Sequence, residues 1–357
     1  MPHSIRELTP KKQAAILLFC ALCLLFGCAR PSDAPLTKTG FYFNTVISIT
    51  IYDGDESLLD DCFEIAKRYE DLFSATIPSS EISSINEAKG TPVCVSDETV
   101  DLLKKGLSYC EMSDGGFDIT IGALSSLWNF SENDGTLPDP SEIEAACSTV
   151  NYHNISLRGN EVCLENPDAR IDLGGIAKGY IADRMKSYLN ENGITEGMVN
   201  LGGNVLCLGE KADKTNYRIG IQMPFGEHGE LAGILDVSDG TVVSSVVYER
   251  YIEVDGKRYH HILNPATGYP YENGLLSVTI LCENSADGDG LSTACFSLGL
   301  DEGMALIERL PDTEAVFLTD DYRFHCSSGI GDVISFENRL LASETFHKKD
   351  YDLYDKE

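Results

Sequence analysis

Residues 41–52, FYFNTVISITIY, set Phe41, Phe43, Ile47, Ile49 and Ile51 on one side and mostly polar residues on the other. This two-residue period predicts a half-buried strand, with Thr45 breaking its apolar face. The rhythm then lengthens. In SLLDDCFEIAKRYEDLF, residues 57–73, apolar side chains recur at 58/59, 62, 65/66, 69 and 72/73, the spacing of a helix buried along one face. A second helix is predicted from Ser96, which caps it, with Asp97 and Glu98 in its first turn and Val100, Leu103, Leu107 and Cys110 on its inner stripe. Gly115-Gly116 stops it, and a third helix runs from about Ile176 to Asn192, closed by Gly193. Short strand candidates follow: MVNLGGNVLCLG, YRIGIQM, AGILDV, TVVSSVVY, LLSVTILC and the hairpin EAVFLTDDYRFHC, turning at Asp320-Asp321. Helices clustered early and many later strands with short turns predict an α+β fold with antiparallel sheet, since a parallel sheet needs regular β-α alternation.

The N-terminus changes the picture of where this domain works. Arg6, Lys11 and Lys12 precede the apolar run AAILLFCALCLLFG, which ends at Cys28. The run is short for a membrane span and reads as a secretory signal, residues 1–27. Cysteine after Leu25-Phe26-Gly27 resembles a lipobox, so the expected mature chain begins at a diacylated, palmitate-bearing Cys28. A tether over 28–38, one domain over 39–345 and a polar tail over 346–357 complete the expected organisation, held at the outer face of the cell membrane. The formal charge is −30, and −32 once Arg6, Lys11, Lys12 and Glu7 leave with the signal. Such acidity excludes nucleic acid as a natural partner, and a phosphate-bearing ligand would need a cation or helix N-termini to offset the field. Of twelve cysteines, nine lie beyond Cys28, with no C-x-x-C pair, which argues against a zinc ribbon or redox dithiol. Cys62, Cys110 and Cys295 fall at apolar helical positions and read as small core residues.

Four stretches are richer in Gly, Asp, His and Asn than packing needs. RIDLGGIAKGYIADR, residues 170–184, runs from a strand end through Gly174-Gly175 into a helix bearing Lys178. Bare N–H groups at such a helix start suit an anion, with the lysine as counter-charge; a tight strand-to-helix turn is the alternative. VNLGGNVLCLG places Gly202-Gly203 and Asn204 in an apolar strand, either as backbone exposed to a flat ring or as a β-bulge. RYHHILNPATGYP joins His260 and His261 to a turn; tandem histidines on a strand point to opposite faces, so one alone can look into a given cleft. DGDGLSTACFSLG, residues 287–299, presents Asp289 and Thr293 one helical turn apart if a helix starts near Asp289. Two hard oxygens suit Mg²⁺, which takes its other ligands from water and substrate phosphates; an ordinary helix start is the plainer reading.

Together with SSEISSIN (79–86) and SDGGFDITIGALSSLW (113–128), these stretches resemble the ApbE family of FAD:protein FMN transferases in order and spacing across nearly the whole mature chain. The resemblance implies a T-fold-like architecture of antiparallel sheets flanked by helices, with FAD in a cleft between two lobes. It implies that Asp289, Thr293 and the carbonyl of Ala177 hold the cation, with Asp287 in reserve. It implies that Asn86, Lys178, His261 and the Gly174-Gly175 and Gly202-Gly203 backbones line the FAD site, and that Asp118 of GGFDIT either contacts the ligand or has a structural role. The activity implied is Mg²⁺-dependent transfer of FMN to a Thr or Ser hydroxyl of an acceptor flavoprotein with release of AMP. In that reading Asp289 and His261 are the catalytic pair, His261 either activating the hydroxyl or positioning the flavin phosphate. The sequence departs from the family pattern at Thr76, where a tyrosine is frequent, at Val246-Val247 in place of Gly-Asp, at Asn264 in place of Asp, and at Ala123 in place of Pro.

Three rival readings remain open. A metal-dependent FAD pyrophosphatase would give FMN to water at the same phosphorus. A lipid-anchored flavin-binding protein would hold FAD without turnover. The chain would itself be the flavin acceptor if Asp289-Gly290-Leu291-Ser292-Thr293-Ala294 were a modification motif rather than a cation site.

Overall fold

The computed structural model describes residues 35–130, 135–227 and 229–335. The expected signal, Cys28 and the expected polar tail lie outside them. In chain order the strands and helices are β1 (Leu36–Tyr42), β2 (Thr45–Ile51), α1 (Glu56–Phe73), α2 (Glu81–Glu87), β3 (Val93–Cys94), α3 (Asp97–Met112), α4 (Gly122–Trp128) and α5 (Pro140–Cys147). Then follow β4 (Ile155–Arg158), β5 (Glu161–Leu164), α6 (Ala177–Glu191), β6 (Gly197–Leu201), β7 (Asn204–Leu208), β8 (Tyr217–Gln222), β9 (Leu231–Val237) and β10 (Gly240–Val246). The described residues close with β11 (Tyr251–Val254), β12 (Lys257–His260), β13 (Leu275–Cys282), α7 (Ser285–Ile307), β14 (Glu314–Thr319), β15 (Phe324–Cys326) and β16 (Ile334–Ser335).

The expected α+β class is what folds. One antiparallel sheet of eight strands, ordered β1-β2-β6-β7-β10-β13-β14-β15, forms the frame, beside three smaller sheets, β16-β9-β8, β3-β5-β4 and β11-β12. Ile47, Ile49 and Ile51 of β2 and Val199 and Leu201 of β6 bury one face of the large sheet. Burial of α1 follows its sequence stripe through Leu59, Cys62, Phe63, Ala66, Tyr69 and Phe73. Cys62, Cys110 and Cys295 are buried as expected, and all nine cysteines of the described residues are free thiols.

Four sequence expectations change. Residues 41–52 form not one strand but the tip of the β1–β2 hairpin, because Phe43 and Asn44 take positive φ (54° and 55°) and turn the chain in two residues. Thr45, which breaks the apolar alternation, is the first residue after that turn. Gly202-Gly203 is likewise a two-residue turn, between β6 and β7, rather than a bulge. Gly202 (φ 63°) is held to glycine twice over, since a Cβ there would also lie 2.4 Å from Thr45 Oγ1. The helix predicted near Asp289 starts four residues earlier, at Ser285, so Asp289 sits in its second turn. The strand β1 also begins at Leu36, inside the tether expected over 28–38. The short helices α2, α4 and α5 had no legible period.

The contact that positions the site is between α6 and α7. A Cβ on Gly179 of α6 would lie 2.0 Å from the carbonyl oxygen of Ser285 and 2.6 Å from the Ala286 nitrogen. Only glycine permits that approach. Asp183, one turn on in α6, accepts from both of those backbone N–H groups, Ser285 at 2.7 Å and Ala286 at 2.9 Å, and so caps α7 from outside its own helix. Gly179→Ala is expected to destabilise the protein by about 1–3 kcal/mol through overpacking against backbone that cannot step aside. The check is the urea midpoint at constant m-value; an unchanged midpoint would show that the helices are free to separate.

Candidate active site

A cleft of about 380 Å³ lies where α6, α7, the β6–β7 turn, β10 and the segment after β12 meet. The structure brings Asp118, Gly174, Gly175, Lys178, Gly202, His261, Asp289 and Thr293 to its wall. Asn86, Ala177 and Gly203 do not line it.

Asp289 is 4% exposed. Its Oδ2 accepts from the Gly179 N–H at 2.6 Å, and the Lys178 ammonium stands 3.9 Å from Oδ1 while donating to the Gly174 carbonyl at 3.3 Å. Burial raises the Asp289 pKa, whereas Lys178, the Gly179 N–H and the Asn204 amide pull it down. Thr293 follows one turn later on the same helix face, its hydroxyl directed back at the Asp289 carbonyl (3.5 Å) and 3.1 Å from Ser245 Oγ on β10. A threonine oxygen that donates its one proton keeps two lone pairs for other partners. Asp287, two residues before Asp289, turns to the opposite side of α7, where it accepts from Lys105 (2.9 Å) and Tyr109 of α3. The two aspartates of the DGDG stretch therefore part company, and Asp287 does not line the cleft.

The donor set fits a hard divalent cation. A carboxylate almost wholly removed from water carries one N–H bond and one ammonium at long range, and a hydroxyl oxygen stands beside it. Among the described residues no cluster of three or more His, Cys, Asp or Glu could hold a metal ion. Two protein oxygens leave most of an octahedron to water and substrate, the usage typical of Mg²⁺. Ala177 begins the same helical turn as Lys178 and Gly179.

His261 is fixed from both ends of its residue. Its N–H donates to the Arg250 carbonyl (3.1 Å), and its Nδ1 lies 3.2 Å from the same oxygen. A carbonyl only accepts, so Nδ1 carries the proton and Nε2 the lone pair. Loss of water, and then the Arg250 charge, hold the imidazole pKa well below the ordinary histidine value, which keeps the ring neutral. His260 points the other way, as alternation requires, with Nε2 against the Tyr271 carbonyl at 2.9 Å. A small apolar cluster of Leu124, Trp128, Ile143, Ile252 and Leu263 supports this corner. Trp128 donates to the Gly268 carbonyl at 2.8 Å, and Asn264 Oδ1 accepts from Ala266 N–H at 2.9 Å, an Asx turn for which Asn serves as well as Asp.

Other expected contacts resolve into scaffolding. Asn86 spends both ends of its amide on Ile171, donating to its carbonyl (2.9 Å) and accepting from its N–H (2.7 Å). It braces the segment leading to Gly174 rather than facing the cleft. Asp118 reaches the wall, yet its oxygens accept from the Thr120 N–H and hydroxyl and from the Tyr152 N–H. Sequence reasoning missed Phe130, a ring in the cleft wall stacked on Trp128 at 5.6 Å and edge-on to His261 at 6.4 Å. No period in the sequence marked it. Ser245, just before Val246-Val247, lines the cleft with its hydroxyl 3.1 Å from that of Thr293.

The sequence profile of the ApbE family matches residues 43–317. An FAD:protein FMN transferase of Klebsiella pneumoniae is 38% identical over 276 residues, covering 76% of this chain and 85% of that protein. One of Treponema pallidum is 32% identical, covering 88% and 93%. The crystal structure of the ApbE protein of Thermotoga maritima superposes with a TM-score of 0.75 at 32% identity, over 83% of this chain and 97% of that one. With the profile spanning most of the sequence and the antiparallel framework shared, the chain belongs to the ApbE family.

Proposed function

We propose that this protein is an FAD:protein FMN transferase, as its relatives are named, and that it moves FMN from FAD to a Thr or Ser hydroxyl of an acceptor flavoprotein, releasing AMP. The observation that carries the reading is the pairing of buried Asp289 with Thr293 one turn apart in a cleft also lined by Lys178. Asp289 and Thr293 are the proposed Mg²⁺ ligands from the cleft wall, and the Ala177 carbonyl, off that wall, joins them on the strength of the family resemblance alone. Bound there, Mg²⁺ supplies charge neutralisation to the anhydride oxygens. The hydroxyl oxygen forms a bond to the phosphorus of the FMN half, the bond from that phosphorus to the bridging oxygen breaks, and the bridging oxygen leaves with AMP. The hydroxyl proton goes to His261 Nε2, which the Nδ1 contact to Arg250 leaves as the basic nitrogen. Lys178 adds positive charge at the anhydride, and the Gly174-Gly175 and Gly202 backbones let the dinucleotide lie close. Water in place of the acceptor hydroxyl would give the pyrophosphatase reaction through the same groups. We also propose that lipidated Cys28 holds the domain at the outer face of the cell membrane, on the strength of the lipobox-like sequence.

Asp289→Ala and Thr293→Val are expected to abolish transfer, read as in-gel flavin fluorescence of candidate acceptors incubated with FAD and Mg²⁺, while the melting temperature stays within a few degrees. Wild-type transfer by either variant in limiting Mg²⁺ would refute the ligand assignment. His261→Ala should slow transfer by about 10²–10⁴-fold with a smaller loss of FAD affinity; equal losses would make positioning its role. Because the folded imidazole titrates below the usual range, kcat/KM should hold as pH falls through 6.5 and decline only at lower pH. An acid limb centred at 6.5 would remove His261 as the base.

A further inference from the structure

The outer face of the β1–β2 hairpin is unlike the rest of this acidic molecule. Phe41 and Val46 lie directly opposite each other across the hairpin and are 67% and 62% exposed, the most exposed large apolar side chains among the described residues. On the same face the register continues with Thr39 opposite Ser48 and Thr37 opposite Thr50, whose hydroxyls are 2.9 Å apart. The next strand, β6, adds Asn200 beside Ser48 and Met198 beside Thr50. Across these three strands that face carries no charge, in a chain with 57 acidic residues. Lys38, the one charged residue of β1, points to the other face and pairs with Asp60 of α1.

We propose that this face rests on the lipid bilayer, an inference that depends on Cys28 being the anchor. Seven residues, 29–35, lie between Cys28 and Leu36, where β1 begins, and at full extension the eight Cα-to-Cα steps reach at most about 28 Å. The anchored chain therefore delivers this hairpin, before any other element, to the membrane surface. A face without carboxylates escapes the repulsion that anionic headgroups impose on the rest of the surface. Its hydroxyls and amide suit the headgroup layer, and Phe41 and Val46 suit the acyl boundary. Two apolar side chains would not hold a free protein there, but an anchored one needs only to be oriented, because the tether makes the contact intramolecular. The same face lacks the central aromatic or arginine cluster that anchors a protein interface. The hairpin also borders the cleft, since the Val46 carbonyl accepts from the N–H of Gly202 at 3.2 Å and Gly202 lines the wall. Docking on lipid thus sets the cleft beside the membrane, where an acceptor that is itself membrane-bound would present its hydroxyl.

The test uses the one native tryptophan, Trp128, which is buried. The full chain, expressed with its signal so that Cys28 is processed, is reconstituted in phosphatidylcholine–phosphatidylglycerol vesicles containing brominated lipid. In Phe41→Trp the introduced indole should be quenched and blue-shifted, with the parent's Trp128 emission unchanged. Adding Val46→Asp should lower the docking equilibrium about tenfold at an unchanged melting temperature. A chain that floats with the vesicles while its new indole stays unquenched overturns the docking and leaves the anchor standing. A chain that does not float overturns the anchor, and the docking with it. Shielding of the indole by an added protein and not by lipid makes the face a protein site and rejects the proposal.

Discussion

The close approach of α6 to α7 is the constraint from which the cleft follows. Gly179 lets the first turn of α6 lie against the backbone of Ser285 and Ala286, and Asp183 holds the start of α7 in that register by accepting from both N–H groups. With the two helices fixed, the Gly179 N–H meets the Asp289 carboxylate, and Lys178 falls beside it. Segments more than a hundred residues apart thus form one wall. A side chain larger than hydrogen at 179 would separate the carboxylate from its N–H and from the ammonium at once, so stability and chemistry are tied to the same contact.

A second constraint comes from the large sheet. Asn204, the first residue after the Gly202-Gly203 turn, is buried with its Oδ1 accepting from Ser285 Oγ at 2.6 Å, and Ser285 Oγ lies 3.1 Å from Thr241 Oγ1 of β10. The start of α7 is therefore held by α6 on one side and by β7 and β10 on the other. The Asn204 amide also faces Asp289 and favours its charged form.

Much of this was legible in the sequence, for identifiable reasons. Helices α1, α3 and α6 carry regular apolar stripes with caps or terminal glycines, and their limits were readable to within a residue or two. The opposite facing of His260 and His261 followed from strand alternation alone. What escaped was non-local. The hairpin tip at Phe43-Asn44 hides because both strands continue one alternation through a turn without glycine or proline. The start of α7 hides because its cap, Asp183, lies 102 residues away, and a sequence scan finds only the nearer aspartates. Asn86 and Asp118 matched family positions, but a motif does not say whether a polar group faces ligand or backbone; their bonds to Ile171, Thr120 and Tyr152 do.

The charges of the cleft explain why a proposed pyrophosphate substrate calls for a cation. Among the described residues four acids line it, Asp118, Asp172, Glu249 and Asp289, against two bases, Lys178 and Arg250, with His261 neutral. Burial raises the pKa of Asp118, Glu249 and Asp289, the direction expected where negative charge is already poorly solvated. Asp118 has spent its oxygens on backbone and Thr120, and Asp172 accepts from Ser125 and Gly174, so both act as fixed struts rather than adjustable ligands. A dinucleotide anhydride entering this wall adds two further negative charges to a site whose cations do not outnumber its anions. Coulomb repulsion at 4 Å is of order 4 kcal/mol per pair at a surface-like dielectric, more than one lysine already engaged with Asp289 and Gly174 can offset. A divalent ion between Asp289 and the anhydride turns the carboxylate from a source of repulsion into a ligand. The same carboxylate that would bar the substrate alone then becomes the group that holds it.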